Sequence, residues 1–485
     1  MSTINGQSDA PLFEALQVYA GKQAANFHMP GHKQGRGLSG ELSSLEGQAL
    51  FALDLTEIPE LDDLHNPRGV IARAQELAAR AYGAAKSFFL VNGTTVGIHA
   101  LLMAVGERGS VIVPRNAHRS VMGGLILSGA DPVYVMPGII NEFGIASGVS
   151  PGQINQALEA NPGAAAVLTV RPNYYGVADD LAGQVRVSHA AGKPLFVDEA
   201  HGAHLRFHRG LPGDAMASGA DASVQSTHKM GGSLTQSSLL HLSGRLLDAG
   251  AVAGALDLLQ TTSPSYLLMA SLDLTRRQLA LTGEDLLERT LRLANKTRKR
   301  LSGINGLEVL SEEYLAGGSQ SLDSTKLVVS VRGLGLTGYQ VGELLSSRYN
   351  IYIEMADQVN IVAFLSPGSA TAECDALVFA LSEIAQRDKL VAAPVNLPEI
   401  PACPVVRMKP RDAWFAPVRR IATAEARGRI SAEMVAVYPP GIPVLCPGEE
   451  ITPGVYDYLE AVRKLGLPCQ GPSDQTLKSI KVVVE

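Results

Sequence analysis

The sequence predicts an α/β protein: a mostly parallel sheet covered by helices, then a smaller α+β region, then a last segment of its own. Three observations carry this. Apolar, β-branched runs alternate with helix-like segments through the first half of the chain. After residue 264 the texture changes to long helical patterning followed by a few strands. A proline-rich connector, "AAPVNLPEIPACPVVRMKPRDAW", then introduces a last stretch of about ninety residues.

The runs "SVIVP", "PVYVMP", "AAAVLTV" and "PLFVDEAH" read as strands, and "PRGVIARAQELAARAYGAA", rich in Ala, Leu, Gln and Arg, reads as a helix between them. In sheets of this kind functional groups gather where strands end at their carboxyl edge. Residues just after each run are therefore the ones to inspect. Further on, "SPSYLLMASLDLTRRQLALTGEDLLERTLRLANKTRKRLSGI" places apolar residues three and four apart, with acidic residues preceding basic ones, and reads as one or two long helices. The strands "TKLVVSVRGLG" and "YNIYIEMADQVNIVAFLSP" and the helix "AECDALVFALSEIAQR" complete the smaller region. No internal repeat and no low-complexity tract interrupts this order.

Composition excludes several classes of function. With 485 residues, 46% hydrophobic and 18% charged, the chain is long enough for two to four domains with a large core. It has no uninterrupted apolar run of about 18 residues, so no membrane span is expected. "MSTINGQSDAPLFEALQ" lacks a basic region followed by an apolar one, so no secretory signal is expected and the cytoplasm is the expected compartment. A net charge of -6 without a long basic block argues against nucleic acid or anionic lipid as partner, which leaves a small molecule. Cys374, Cys403, Cys446 and Cys469 lie far apart with no C-x-x-C spacing and read as reduced thiols.

The run-ends can be taken in order. "FFLVNGTTVGIHALLMAVG" is an apolar run, then Gly93, Thr94 and Thr95, then a helix; free N–H groups and hydroxyls at such a start suit a phosphate, though plain capping would also explain them. "VIVPRNAHRSVMGG" puts His118 after a strand and at a helix start, where its ring could stack on a flat cofactor or simply satisfy a core hydrogen bond. "KPLFVDEAHGAHLRFH" ends a buried strand with Asp198, and a buried carboxylate asks for a cation. A metal shared with His201 and His204 is one candidate, and the protonated nitrogen of a pyridine ring is the other. In "DASVQSTHKMGGSLTQSSLL", Lys229 follows a strand and sits among Ser226, Thr227, His228 and two glycines. An amine that must react needs such a held position, and glycines let the backbone pass close to a bulky ligand. Together the phosphate-type helix start, the stacking histidine, the strand-end carboxylate and the lysine form the set that pyridoxal 5'-phosphate requires.

The motifs "FHMPGHKQGRG", "DLTEIPELDDLHNP", "VPRNAHRSV", "VDEAHGAHLRFH", "STHKMGGSLTQSS", "TTSPSYLLMASLD" and "VYPPGIPVLCPGEEIT" resemble the fold-type I Orn/Lys/Arg decarboxylase family, in its short bacterial branch that lacks the N-terminal wing domain. The likeness runs from about residue 10 to about residue 480. It implies an aspartate-aminotransferase-like large domain with an N-terminal arm over residues 1–264, a small α+β domain over 265–392 and a C-terminal decarboxylase domain over 393–485. It further implies bound pyridoxal phosphate and a homodimer with active sites at the subunit interface, able to assemble into a tetramer or larger form.

By the same resemblance Lys229 is the Schiff-base lysine, Ser226 and His228 hold the phosphate with Gly93, Thr94 and Thr95, and His118 stacks on the ring. Asp198 pairs with the ring nitrogen, Ala200 and His201 lie beside the ring, and Ser263 in "TTSPSY" reaches the neighbouring subunit's cofactor. Lys229 and His201 are the candidates for returning a proton to the substrate's α-carbon. For the distal cation of a basic substrate the resemblance suggests Glu449, with Glu450 beside it, Asp62 or Asp63 as entrance residues, and His32 as a further substrate-binding residue. Arg171, in "LTVRPNYYGV", departs from the family, which more often has a small polar residue there. The activity implied is decarboxylation of a basic amino acid: arginine to agmatine, a step of polyamine biosynthesis, ahead of lysine to cadaverine and ornithine to putrescine. A transaminase on the same scaffold and a non-catalytic cofactor-binding homologue are the competing classes.

Overall fold

The computed structural model describes residues 6–22, 27–44, 47–106, 109–244, 246–315, 320–387, 401–437 and 442–484. Two units divide the chain, one made of Met1–Ala104 and Phe196–Leu287, the other of Val105–Leu195 and Glu288–Glu485. The expected boundary between residues 392 and 393 lies outside the described residues.

In the first unit four strands lie side by side: Lys86–Leu90, Ser238–Leu242, Ala222–Gln225 and Leu195–Asp198. The first two joints are antiparallel and the last is parallel. The antiparallel strand Ser238–Leu242 departs from the mostly parallel expectation, and the connection explains it. Between Gln225 and Ser238 the chain makes only the short helix Thr227–Met230, too little for the crossover that parallel pairing needs. Lys86–Leu90 and Ala222–Gln225, each antiparallel to the strand between them, therefore run the same way. Leu90, Gln225 and Asp198 all end on one edge.

Apolar spacing builds the helices over this sheet. Leu12, Leu16 and Tyr19 of the helix Pro11–Ala20 pack with Ile71, Ala74 and Ala78 of the helix Val70–Tyr82 and with Tyr266 and Met269. The fully buried guanidinium of Arg276 holds the N-terminal segment, donating to the carbonyls of Gln7 at 2.8 Å and Asp9 at 2.6 Å while pairing with Asp273. The helix Gly93–Val105 lies so close to the strands that a Cβ on Gly97 would stand 2.5 Å from Val224 Cγ1, which is why a glycine is needed there.

The second unit holds three parallel strands, Ala166–Val170, Ser110–Pro114 and Asp131–Val135. A separate antiparallel sheet orders Glu308–Val309, Lys326–Ser330, Asn360–Phe364 and Met355–Ala356. The helices Gly338–Tyr349 and Thr371–Arg387 cover it through Leu345, Leu377, Leu381 and Ile384. The last segment packs the helix Pro453–Leu465 on Val435, Leu445, Ile480 and Val482. The 37-residue helix Tyr266–Ser302 matches the long helical patterning of the sequence. All four cysteines are free thiols, and burial pushes Cys446 up to about 12 and Cys469 up to about 11. Among the described residues no helix is long and apolar enough to cross a membrane.

Candidate active site

Three chain segments leave the common edge of the first unit's sheet and carry the candidate chemistry. Gly93 to Thr95 follow Lys86–Leu90, Asp198 to His201 end Leu195–Asp198, and Ser226 to Lys229 follow Ala222–Gln225. The edge geometry brings them together. Thr94 Oγ1 lies 3.2 Å from Ser226 Oγ, and Lys229 Nζ lies 3.0 Å from His201 Nε2. Thr94 also stands in the first turn of its helix, where backbone N–H groups lack helical acceptors. Hydroxyls and N–H groups in this arrangement can hold a phosphate.

Asp198 is 4% exposed and takes a hydrogen bond from Ala200 N–H at 3.2 Å, with no cation paired to it among the described residues. A buried carboxylate left so asks for a positively charged ligand atom. His228 gives its Nδ1 side to the Ser237 carbonyl at 2.9 Å, and burial holds its pKa below the usual histidine range. Lys229 is exposed in the single chain, as an amine that meets a ligand must be. The residues present thus fit a phosphate-bearing aromatic aldehyde with a protonated ring nitrogen. Among the described residues there is no group of three or more His, Cys, Asp or Glu side chains placed to hold a metal.

Other expected residues have partners that give them different surroundings. Ser263 is exposed in a turn whose Thr261 donates its N–H to Asn92 Oδ1 at 3.2 Å, beside Gly93, and accepts from His65 Nε2 at 2.9 Å. His65 also faces Asp257, at 3.4 Å. His32 meets Asp54 at 3.1 Å and accepts from Gly35 N–H at 2.9 Å, while Asp63 accepts from His65 N–H at 2.9 Å. Asp62 is a cap: its carboxylate takes the N–H groups of Arg68, Gly69, Ile71 and Ala72 at the start of the helix Val70–Tyr82. Burial works against its ionisation, yet these donors hold its pKa below the usual carboxylate range.

In the second unit His118 is exposed at the N-cap of the helix Arg119–Ser128, where its Nδ1 accepts from Ser120 N–H at 3.2 Å. Arg171 is buried and donates Nε to the Asp179 carbonyl at 3.0 Å. Glu449 has a partner other than the expected substrate cation. It is 1% exposed and forms a bidentate pair with Arg115 at 2.5 and 2.8 Å, and its Oε2 accepts the Cys446 N–H at 2.7 Å. Removing one member of such a pair strands a buried charge, at a cost of roughly 3–5 kcal/mol. Glu450 binds the Arg407 guanidinium at 2.7 Å.

Sequence reasoning passed over Glu199, Asn92 and His65. Glu199 is fully buried and accepts from Ala215 N–H at 2.9 Å, Ser223 Oγ at 2.7 Å and Gln225 Nε2 at 2.8 Å. Gln225 continues to His241, and His241 to Ser87, so one polar row crosses all four strands. Ser223 and Gln225 alternate with Ala222 and Val224, and this alternation was the available signal.

Comparison with known proteins agrees with this architecture. The lysine decarboxylase LdcF of Francisella novicida has the same fold, with a TM-score of 0.86 at 22% identity over 98% of this chain and 81% of that one. The Bacillus subtilis protein named arginine decarboxylase is 44% identical over 483 residues, 99% of each chain. Lysine decarboxylase LdcA of Pseudomonas aeruginosa is 26% identical over 93% of this chain and 76% of its own. Fold and relatives together define an amino-acid decarboxylase on the fold-type I scaffold. Residues 10–373 match the Orn/Lys/Arg decarboxylase major domain and residues 399–471 its C-terminal domain. The chain belongs to the Orn/Lys/Arg decarboxylase family.

Proposed function

We propose that this chain decarboxylates L-arginine to agmatine and carbon dioxide with pyridoxal 5'-phosphate as cofactor. The observation that carries the reading is the placing of Lys229, 3.0 Å from His201, on the same sheet edge as the buried Asp198 and the Thr94–Ser226 hydroxyl pair. The choice of arginine rests on the 44% identity to the B. subtilis arginine decarboxylase, against 26% to the P. aeruginosa lysine decarboxylase.

When bound, the cofactor supplies an electron sink that weakens whichever α-carbon bond stands perpendicular to its ring. Each protein group then has a defined task. Lys229 Nζ would hold the cofactor covalently. Gly93, Thr94, Thr95, Ser226 and His228 hold the phosphate. Asp198 would accept the ring N–H and keep that nitrogen protonated. Ala200 and His201 would lie beside the ring, and Lys229 or His201 would return a proton to the substrate's α-carbon. His118 and Ser263 keep their roles, ring partner and contact to a second subunit's cofactor, from the family resemblance alone. Asp63 stays as an entrance residue and His32 as a substrate-binding one; Glu449 is set aside from the distal cation because it is buried and its charge is already matched by the Arg115 guanidinium.

The reading includes a homodimer working in the cytoplasm and the three-part division into large, small and C-terminal domains. Lys229→Ala is expected to lose both the visible absorbance of bound cofactor and all turnover. A variant that kept both would remove Lys229 from its role.

A further inference from the structure

Arg115 leaves the strand Ser110–Pro114 directly, and its backbone N–H still bonds the Val135 carbonyl of the neighbouring strand at 2.9 Å. Its side chain goes elsewhere. Nε donates to the Pro443 carbonyl at 2.9 Å, both terminal nitrogens meet Glu449, and the guanidinium lies 4.5 Å from the Tyr134 ring centroid. The forked geometry suits a carboxylate better than any single point charge could.

The loop that presents Glu449 is itself tied down. Gly448 donates to Ser431 at 2.8 Å and its carbonyl accepts from Arg407 and Met408. Gly448 adopts φ +88°, and a Cβ there would stand 2.2 Å from the Met408 carbonyl oxygen, so the sharp turn excludes other residues. On the other side, Arg115 opens the turn that leads to His118. Ala117 N–H bonds Pro114 O at 3.1 Å, and His118 O accepts from Val121 N–H at 2.9 Å. The pair thus joins a fixed loop of the C-terminal segment to the base of the turn bearing His118.

A carboxylate meant for a substrate would face a cavity large enough for that substrate. Among the described residues, two hollows beside Arg115 hold about 20 Å³ each, and Glu449 lines neither. Ligand pockets run to roughly 300 Å³ or more. We infer that Glu449 is a positioning residue that, through Arg115, lets the C-terminal segment fix the turn presenting His118. The assignment of His118 to the cofactor ring rests on the decarboxylase reading, whereas the clamp itself rests on the geometry.

The test compares Glu449→Gln, Arg115→Met and the double variant as cofactor-loaded, full-length proteins. Melting temperature, visible circular dichroism of the bound cofactor, kcat and KM for arginine are the readouts. The clamp predicts that both single variants melt earlier and that the double is no worse than either, because the two losses describe one interaction. It also predicts a cofactor dichroism band weakened in all three and kcat lowered about tenfold, with KM moved less than about threefold. A KM raised more than about tenfold with melting and dichroism unchanged would make Glu449 the substrate's carboxylate and overturn the inference. Earlier melting with unchanged dichroism and kcat would reduce the pair to a strut and overturn it too. If the wild-type protein turns over no basic amino acid, the decarboxylase reading fails; melting and dichroism then decide the clamp.

Discussion

Asp179 is a residue at which burial and charge pull in opposite directions. Burial is the larger influence and pushes its carboxyl from 3.8 up to about 6, against Arg171 and the N–H groups of Val149 and Gln184, which favour the ionised form. A carboxyl whose folded pKa lies above its unfolded value binds more protons when folded, so its contribution to stability falls as pH rises through that window. Between pH 3.8 and about 6 the cost of ionising Asp179 accumulates to on the order of 3 kcal/mol. Asp179→Asn cannot ionise and is expected to lack this slope. Denaturant unfolding of both proteins at pH 4, 5 and 6 checks it; parallel curves would contradict the shift. Asp179 also explains part of the surroundings of Arg171, which the sequence marks only as a departure from the family: the guanidinium in "LTVRPNYYGV" donates to a carbonyl eight residues further along the chain.

Helix starts and strand order are features of whole elements, and the sequence revealed them unequally. The helix Val70–Tyr82 begins after Gly69, which has no side chain to cap it, and Asp62 supplies the acceptor from a distance. Asp62→Ala is expected to cost about 1–2 kcal/mol, while Asp62→Asn, which keeps an acceptor and tolerates the left-handed backbone at φ 67°, should recover most of it. Unfolding free energies of both variants decide this, and an Ala variant as stable as wild type would remove the cap. Helical periodicity and strand runs were legible because burial selects them residue by residue: the helix "VIARAQELAARAY" and the strands "SVIVP" and "FVD" lie where their patterns put them. The reversal of Ser238–Leu242 was harder to see, since strand direction follows from connection length and not from the strand's own residues. The Arg115–Glu449 pair was invisible for another reason. Its members are separated by a long stretch of chain, and no local pattern announces which buried charge meets which.

At the scale of the whole molecule, sheet topology turns distant residues into one site. Three strands pointing the same way bring Gly93, Asp198 and Ser226 to one edge, so the chemistry of the site depends on the order of the strands as much as on the residues. The contacts of Thr94 with Ser226 and of Lys229 with His201 join candidates that were legible in the sequence, because each lies just after a strand where a motif is short and local. The destination of Glu449 was not, because a surface-like "CPGEEIT" gives no sign of a buried arginine waiting for it. The central claim is tested most directly by a mass-spectrometric product assay of the purified, cofactor-loaded protein offered arginine, lysine and ornithine with a trace of keto acid. The account predicts agmatine as the dominant amine, with carbon dioxide released mole for mole. A keto acid without any amine would contradict it, and cadaverine or putrescine in place of agmatine would contradict the assignment of arginine.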